Sequence, residues 1–309
     1  DGASQFYLSQ YADAKVSLDE ALQLWMRLNN PSGIARTRME LGRVLASQGD
    51  YAAARMEFEQ ALELVGGDPY LRSGVLHNLG VISAKQSQFD EAITHLEEAL
   101  VLRQHQQDTK GIATTQSALG EVYIELSRYD EADQHLTMAL ELREQSGDVV
   151  GMAATRNNIA LMYQAQGNYA DAEALYQLTL SDLPEGLAPL YKGTALNGLG
   201  GVFAIRGQYE MAIDYHSQAL AIFEVIQYVD GIATVYNNLA FIDMSRGDLS
   251  KALDDYRSAQ RIWQDTGNIA AHTTSAINIG DVYHQQGRYA DALSIFEDAL
   301  TTANALNLT

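Results

Sequence analysis

The sequence predicts an all-α solenoid of stacked helix–turn–helix repeats, and three observations carry that expectation. A small residue recurs at Gly42, Gly80, Gly120, Ala160, Gly200, Ala240 and Gly280; the first step is 38 residues and each later step is 40. A fixed period of this size marks a stacked array, not a single globular core. Leu41, Leu79, Leu119, Ile159, Leu199, Leu239 and Ile279 precede it. An unbroken Ala column follows it at Ala54, Ala92, Ala132, Ala172, Ala212, Ala252 and Ala292.

Each element of a unit has a local reason. The first helix carries the Leu-Gly pair, where a small residue admits a close neighbour. A turn follows, marked by Gly49-Asp50, Gly167-Asn168, Gly207-Gln208, Gly247-Asp248 and Gly287-Arg288; glycine supplies the positive φ that ends a helix. The second helix begins at Tyr51, Phe89, Tyr129, Tyr169, Tyr209, Leu249 or Tyr289. In residues 89–100, Phe89, Ala92, Ile93, Leu96, Ala99 and Leu100 share one face, with acids on the other. A second small column runs Ala61, Ala99, Ala139, Thr179, Ala219, Ala259, Ala299. Second helices should end near Gly67, Gly147 and Gly267, with Asp68, Asp148 and Asn268 capping the next helix. Gln107, Gln227 and Asn307 replace that Gly elsewhere, which predicts a less sharp boundary.

The units so defined are a partial repeat at 1–31, then 32–69, 70–110, 111–150, 151–190, 191–230, 231–270 and 271–309. Residues 1–31 read as the end of a first helix followed by a second helix marked by Tyr11, Ala14, Leu18 and Ala21. This opening, without a Met, is expected to belong to a longer protein with further repeats or domains upstream. Leu183-Pro184-Glu185-Gly186 should stop one second helix early, and a change of superhelix curvature is expected near residues 180–202.

Composition narrows the function. The 309 residues contain no Cys, which excludes disulfides and thiol chemistry. Forty acidic against twenty basic residues give a net charge of −20; a nucleic-acid binder needs a basic face, so no nucleic-acid partner is expected. No apolar run approaches the ~20 residues of a membrane span, so no membrane partner is expected and the placement is cytoplasmic. No His-Glu-x-x-His, phosphate loop or Gly-x-Ser-x-Gly occurs, so neither an enzyme nor a metal or cofactor site is expected. Gly198, Gly200, Gly201 and Gly207 mimic a nucleotide turn but fall within a helical unit. The acids of the second helices, such as Glu57, Glu98, Glu131 and Asp254, read as a solvated surface.

The ordered signature of Leu-Gly, Gly-Asp-Tyr, Ala and Ala resembles the tetratricopeptide repeat over the entire chain. The unit is longer than the family's ~34 residues and lacks its terminal Pro. The long form is similar to that of kinesin light chains, Pins-type adaptors and bacterial signal-transducing ATPase regulators; Arg156–Tyr163 and Tyr236–Phe241 are similar to the first, Ser146–Ala153 to the last. Fifteen Arg against five Lys favour a bacterial source. The resemblance implies a right-handed superhelix whose first helices line a concave groove. It also implies a protein or peptide ligand, or another domain of the same protein, as partner. The expected role is the sensor part of a larger regulator. A small-molecule inducer, in a pocket around Tyr163, Phe203 and Phe241, and a ligand-free scaffold are the alternatives.

On that inner face the candidate contacts are Arg36, Arg43, His77, Lys85, Glu121, Asn157, Gln164, Asn197, Asn237, Phe241, Met244 and His284. Asn157, Asn197 and Asn237 form a ladder one repeat apart. Amides offer donor and acceptor together, so such a row suits an extended peptide backbone; bonding to neighbouring helices is the competing role. For a second column, Asn78, Asn158, Asn238 and Asn278, the structural role is the stronger expectation. The mixed charges of the groove do not match the dense Lys/Asn clamp that binds terminal carboxylates.

Overall fold

A computed structural model describes residues 2–305, with side-chain packing described for 14–304. It contains fifteen α-helices and no strand among the described residues. A long helix α1 (Gly2–Arg27) precedes seven antiparallel pairs. These are α2 (Pro31–Ser47) with α3 (Tyr51–Leu64), α4 (Pro69–Lys85) with α5 (Phe89–Gln106), and α6 (Thr109–Glu125) with α7 (Tyr129–Ser146). Then come α8 (Val149–Ala165) with α9 (Tyr169–Asp182), and α10 (Pro189–Ile205) with α11 (Tyr209–Ile226). The last are α12 (Val229–Ser245) with α13 (Leu249–Thr266), and α14 (Ile269–Gln285) with α15 (Tyr289–Ala305). Each helix packs on the one before and the one after, giving a right-handed superhelical solenoid.

The periodic columns are the core. The first Ala column is at most 2% exposed in every pair. The recurring small residue faces the side chain sixteen positions later. A Cβ at Gly42 would lie 2.5 Å from Phe58, at Gly80 2.6 Å from Leu96, at Gly120 2.6 Å from Leu136, and at Gly280 2.5 Å from Phe296. That near-contact sets the approach of the two helices in a pair, because packed interiors have no slack to absorb a methyl group.

Capping follows the residues. Asp68, Asp148 and Asn268 accept from backbone N–H groups in the first turns of α4, α8 and α14. The boundary at Gln107 is as sharp as the glycine ones: Gln107 adopts the left-handed conformation (φ 57°) and Asp108 caps α6 through Gly111. Gln227 is also left-handed (φ 56°). The αL cap bonds of the backbone outweigh the modest strain of a non-glycine residue. Asn307 lies outside the described residues. The Gly66-Gly67 pair places its positive φ at Gly66, so α3 ends at Leu64, before the expected stop.

Two findings go beyond the sequence reading, and one early stop falls where it was expected. Residues 2–27 form one continuous helix, without a turn before Tyr11. No Gly or Pro interrupts residues 3–27, so continuing the helix satisfies the backbone groups. α9 stops at Asp182, as Leu183-Pro184 requires, and α10 starts at Pro189. Finally, Arg103 and Arg143 occupy a column filled elsewhere by Val65, Leu183, Phe223 and Trp263. Each guanidinium is buried and clasps the next pair: Arg103 donates to the Gly111 carbonyl at 2.8 Å and to the Thr115 hydroxyl. Arg143 donates likewise to Gly151 at 2.8 Å and to Thr155.

The superhelix comes round far enough for its first pair to meet its sixth. The buried Tyr51 hydroxyl donates to the buried carboxylate of Asp230, 179 residues away. Beside it, Gly49 packs against Thr266 so closely that a Cβ would lie 2.5 Å from the threonine methyl. The inner wall therefore encloses a space and does not open as a flat sheet of helices.

Candidate functional site

The first helices line that space. The column one after the small residue is exposed at Arg43, Glu121, Leu161, Phe241 and Asp281. The column four after it is only partly a groove column, with Ala84, Gln164 and Ala204 lining hollows of the inner wall. Ile124 and Ala204 are buried, and Met244 packs onto the cluster of Ala240, Ala252 and Tyr256. Three residues advance a helix by 60° less than a turn, which turns this column towards the neighbouring layer. Met244 is half-buried against that cluster. Gln164, in the same column, stays at the groove edge, where Tyr176 donates to its carbonyl at 3.4 Å.

The inner helices α8, α10, α12 and α14 enclose a recess of about 610 Å³. Six of its lining residues are asparagines, all from the two columns. They are stitched across repeats. Asn238 Nδ2 donates to Asn197 Oδ1 at 3.2 Å, and Asn278 Nδ2 to Asn237 Oδ1 at 3.0 Å. Asn158 Nδ2 donates to Glu121 at 2.6 Å. The second column therefore holds the bridging role. In the first column Asn157 is buried and donates to the Tyr191 carbonyl at 2.9 Å, while its own Oδ1 has no partner. Asn197 and Asn237 use their carbonyls as acceptors, and their NH2 groups have no hydrogen-bond partner among the described residues.

His216 closes the back of this recess. It occupies the column that holds Phe58, Leu96, Leu136, Tyr176, Tyr256 and Phe296 elsewhere, and its ring lies against Gly200, with a Cβ there only 2.6 Å away. Its Nδ1 donates to Asn197 Oδ1 at 2.8 Å, and burial pushes its pKa down to about 4, so the ring is neutral. A polar residue in an apolar column was the signal in the sequence that could have found it.

The other face of the space is charged. Between α4–α6 and the α13–α14 region lies a smaller recess of about 340 Å³ holding Lys85, Glu121 and Glu125. These side chains touch water but are walled in by protein. The Tyr228 phenol, with the carboxylates of Asp230, Glu121 and Glu125, holds the Lys85 pKa above its usual range against the opposing effect of burial. Burial raises that of Glu121. His77 is pushed down to about 3 by burial and by the Arg103 and Arg43 cations; it contacts the Thr115 hydroxyl at 3.5 Å.

The remaining candidates do not join either recess. Arg36 pairs with Asp68 at 3.2 Å and Arg43 with Glu40 at 3.3 Å, both at exposed positions. His284 is exposed and meets the Tyr289 ring edge-on at 5.3 Å. The aromatic pocket expected around Tyr163, Phe203 and Phe241 does not form. Phe203 is buried and stacks on Tyr215 at 5.4 Å, and Tyr163 packs on the core. Their column points at the second helices, leaving Phe241 alone on the groove. No group of three or more His, Asp or Glu able to hold a metal occurs among the described residues.

The profile of the tetratricopeptide repeat matches residues 2–65, 71–145, 151–225 and 231–305. The chain belongs to the tetratricopeptide repeat family. A sequence comparison with curated proteins finds no match. Among solved structures the array is similar to a Rap protein complexed with Competence and Sporulation Factor, with TM-score 0.73 and 13% identity over 95% of this chain and 86% of that one. It is also similar to NprR in complex with its cognate peptide NprX, with TM-score 0.70 and 15% identity over 96% and 89%. A third is the Signal Transduction ATPase with Numerous Domains protein with a tetratricopeptide repeat sensor from Pyrococcus horikoshii. There the TM-score is 0.58 at 16% identity, over 94% of this chain and 46% of that one. At these identities the likeness is one of fold. No helix among the described residues is long and apolar enough to cross a membrane.

Proposed function

We propose that this tetratricopeptide array is a non-catalytic binding unit that holds an extended peptide segment along its inner wall. The reading places it as the sensor part of a larger bacterial regulator acting in the cytoplasm. The observation that carries it is the uncharged, amide-rich recess spanning α8, α10, α12 and α14. Asn197 and Asn237 each have their carbonyl held by a neighbouring amide, which orients their NH2 groups before any ligand arrives. An extended strand presents backbone carbonyls at regular spacing, and preoriented donors meet it without the entropy loss of ordering free side chains. That NprR and the Rap protein were solved with bound peptide or factor is consistent with this reading.

The test is fluorescence polarisation with a capped random hexapeptide library. Asn237→Asp keeps the acceptor for Asn278 and removes the free donor; it should weaken the selected peptides at least several-fold. Absence of any saturable binding to the wild-type chain would overturn the proposal.

A further inference from the structure

The inner wall of α10 has a gap that the fold itself does not require. Four glycines lie in this helix, and three have an internal reason. A Cβ at Gly193 would meet the Phe223 ring at 2.5 Å, at Gly198 the Tyr176 ring at 2.2 Å, and at Gly200 the His216 ring at 2.6 Å. Gly201 differs. Its φ is not positive, and the only side chain near a Cβ there is Gln164, whose mobile amide end comes within 2.9 Å. Glycine weakens a helix interior, so a glycine without a packing role needs another account.

Its surroundings supply one. Gly201 stands in the inward column between Leu161 of one neighbouring repeat and Phe241 of the other, and both carry exposed side chains on the groove. Ile205, one turn further along α10, is 49% exposed. The result is a notch with apolar sides and helix backbone as its floor, approached only by the mobile amide end of Gln164. No Asp, Glu, Lys or Arg lines the recess, in a chain that carries 40 acidic residues. Asn197 and Asn237 line the same recess with NH2 groups that have no partner among the described residues, and Asn157 Oδ1 is buried and unpaired in its wall.

We propose that Gly201 floors a notch that receives one bulky apolar side chain of the bound peptide, aromatic, Leu or Met, within an uncharged stretch. This rests on the peptide reading above and adds the side-chain selection. The glycine makes room, Leu161 and Phe241 clasp the side chain, and the amides hold the adjacent backbone. Burying such a side chain removes it from water against surface that is exposed in the free protein, which is the driving force. A charged side chain would lose its hydration with no counter-charge to meet it.

The experiment uses the full chain and a positional-scanning library of N-acetylated, C-amidated hexapeptides, read by fluorescence polarisation. The wild type should prefer a bulky apolar residue at one position by roughly tenfold or more over Ala, Lys or Glu. Gly201→Leu should lose that preference and turn to Gly or Ala there, with Gly201→Ala between the two. Both substitutions raise helix propensity, and circular dichroism checks that the helices persist; should Gly201→Leu not fold, Gly201→Ala decides. An apolar preference unchanged in the variants, or a wild type that selects charged residues throughout, overturns the notch and leaves the peptide reading standing. No binding to any library peptide overturns both.

Discussion

Replacing Asn197 by Ala removes the acceptor that His216 depends on, and the structure sets the size of the effect. His216 is fully buried, with Nδ1 bonded to Asn197 Oδ1 at 2.8 Å and Nε2 already without a partner. After Asn197→Ala neither ring nitrogen is paired. A newly orphaned buried donor costs about 1–3 kcal/mol. The second donor to Asn197, Asn238, is only partly buried and can turn to water, so it adds little. His216→Leu alone should be neutral or stabilising, since Leu96 and Leu136 occupy the same column against Gly80 and Gly120. It also removes the unpaired Nε2. In the His216→Leu background, Asn197→Ala should then cost under about 1 kcal/mol, a coupling of about 1–2 kcal/mol. Solenoids need not unfold as one unit, so the assay is hydrogen exchange of α10 and α11 amides, compared across the four proteins. Additive effects of the two substitutions would refute the reasoning, and so would a His216→Leu penalty larger than that of Asn197→Ala. The same numbers warn that Asn197→Ala disturbs the fold as well as the groove, whereas Asn237→Asp reports on the groove.

Three more predictions follow from the same contacts. His216 and His77 titrate below the ordinary His value near 6.5, at about 4 and about 3, so the unfolded chain binds more protons through that window. Stability should therefore fall as pH drops from about 6.5 towards 4, and urea midpoints should show a shallower fall in His216→Leu. Arg143→Met should cost less than about 1 kcal/mol, because its column accepts apolar residues and Thr155 keeps its bonds to Gly151 and Ser117. Thr155→Val, which strips an acceptor from the buried cation, should cost about 1.5–3 kcal/mol; denaturation midpoints rank the two. Tyr51→Phe leaves the Asp230 carboxylate buried with no hydrogen-bond partner. It should loosen the contact between first and sixth pairs, seen as a broader spin-label distance distribution between Gln48→Cys and Asp254→Cys, both exposed; the native chain has no Cys to interfere.

Most of the helical register was legible because it is written in columns. Every second helix begins at the residue expected, from Tyr51 to Tyr289, since a turn with positive φ and an aromatic start recur at one offset. The caps at Asp68, Asp148 and Asn268 were legible for the same local reason. What a column faces was less so. Met244 was assigned to the groove from spacing and Tyr163 and Phe203 to a pocket with Phe241, yet Met244 is half-buried against a core cluster, and Tyr163 and Phe203, about 200° round the helix from the inward column, pack on the second helices. Arg103 and Arg143 gave a signal, Arg in a column shared with Phe and Trp, but the clasp needs the next pair's carbonyl in place to be recognised.

By itself the sequence determined a tetratricopeptide solenoid, most of its helix boundaries and the asparagine rows, all of which depend on residues at most one repeat apart. Only the tertiary structure decided that Tyr51 meets Asp230 across 179 residues and that Gly201 opens space while Gly198 and Gly200 fill it. The physical reason is summation. Small rotations between repeats add up over five interfaces, so closure and the shape of the inner wall are properties of the whole superhelix and of no single window of sequence.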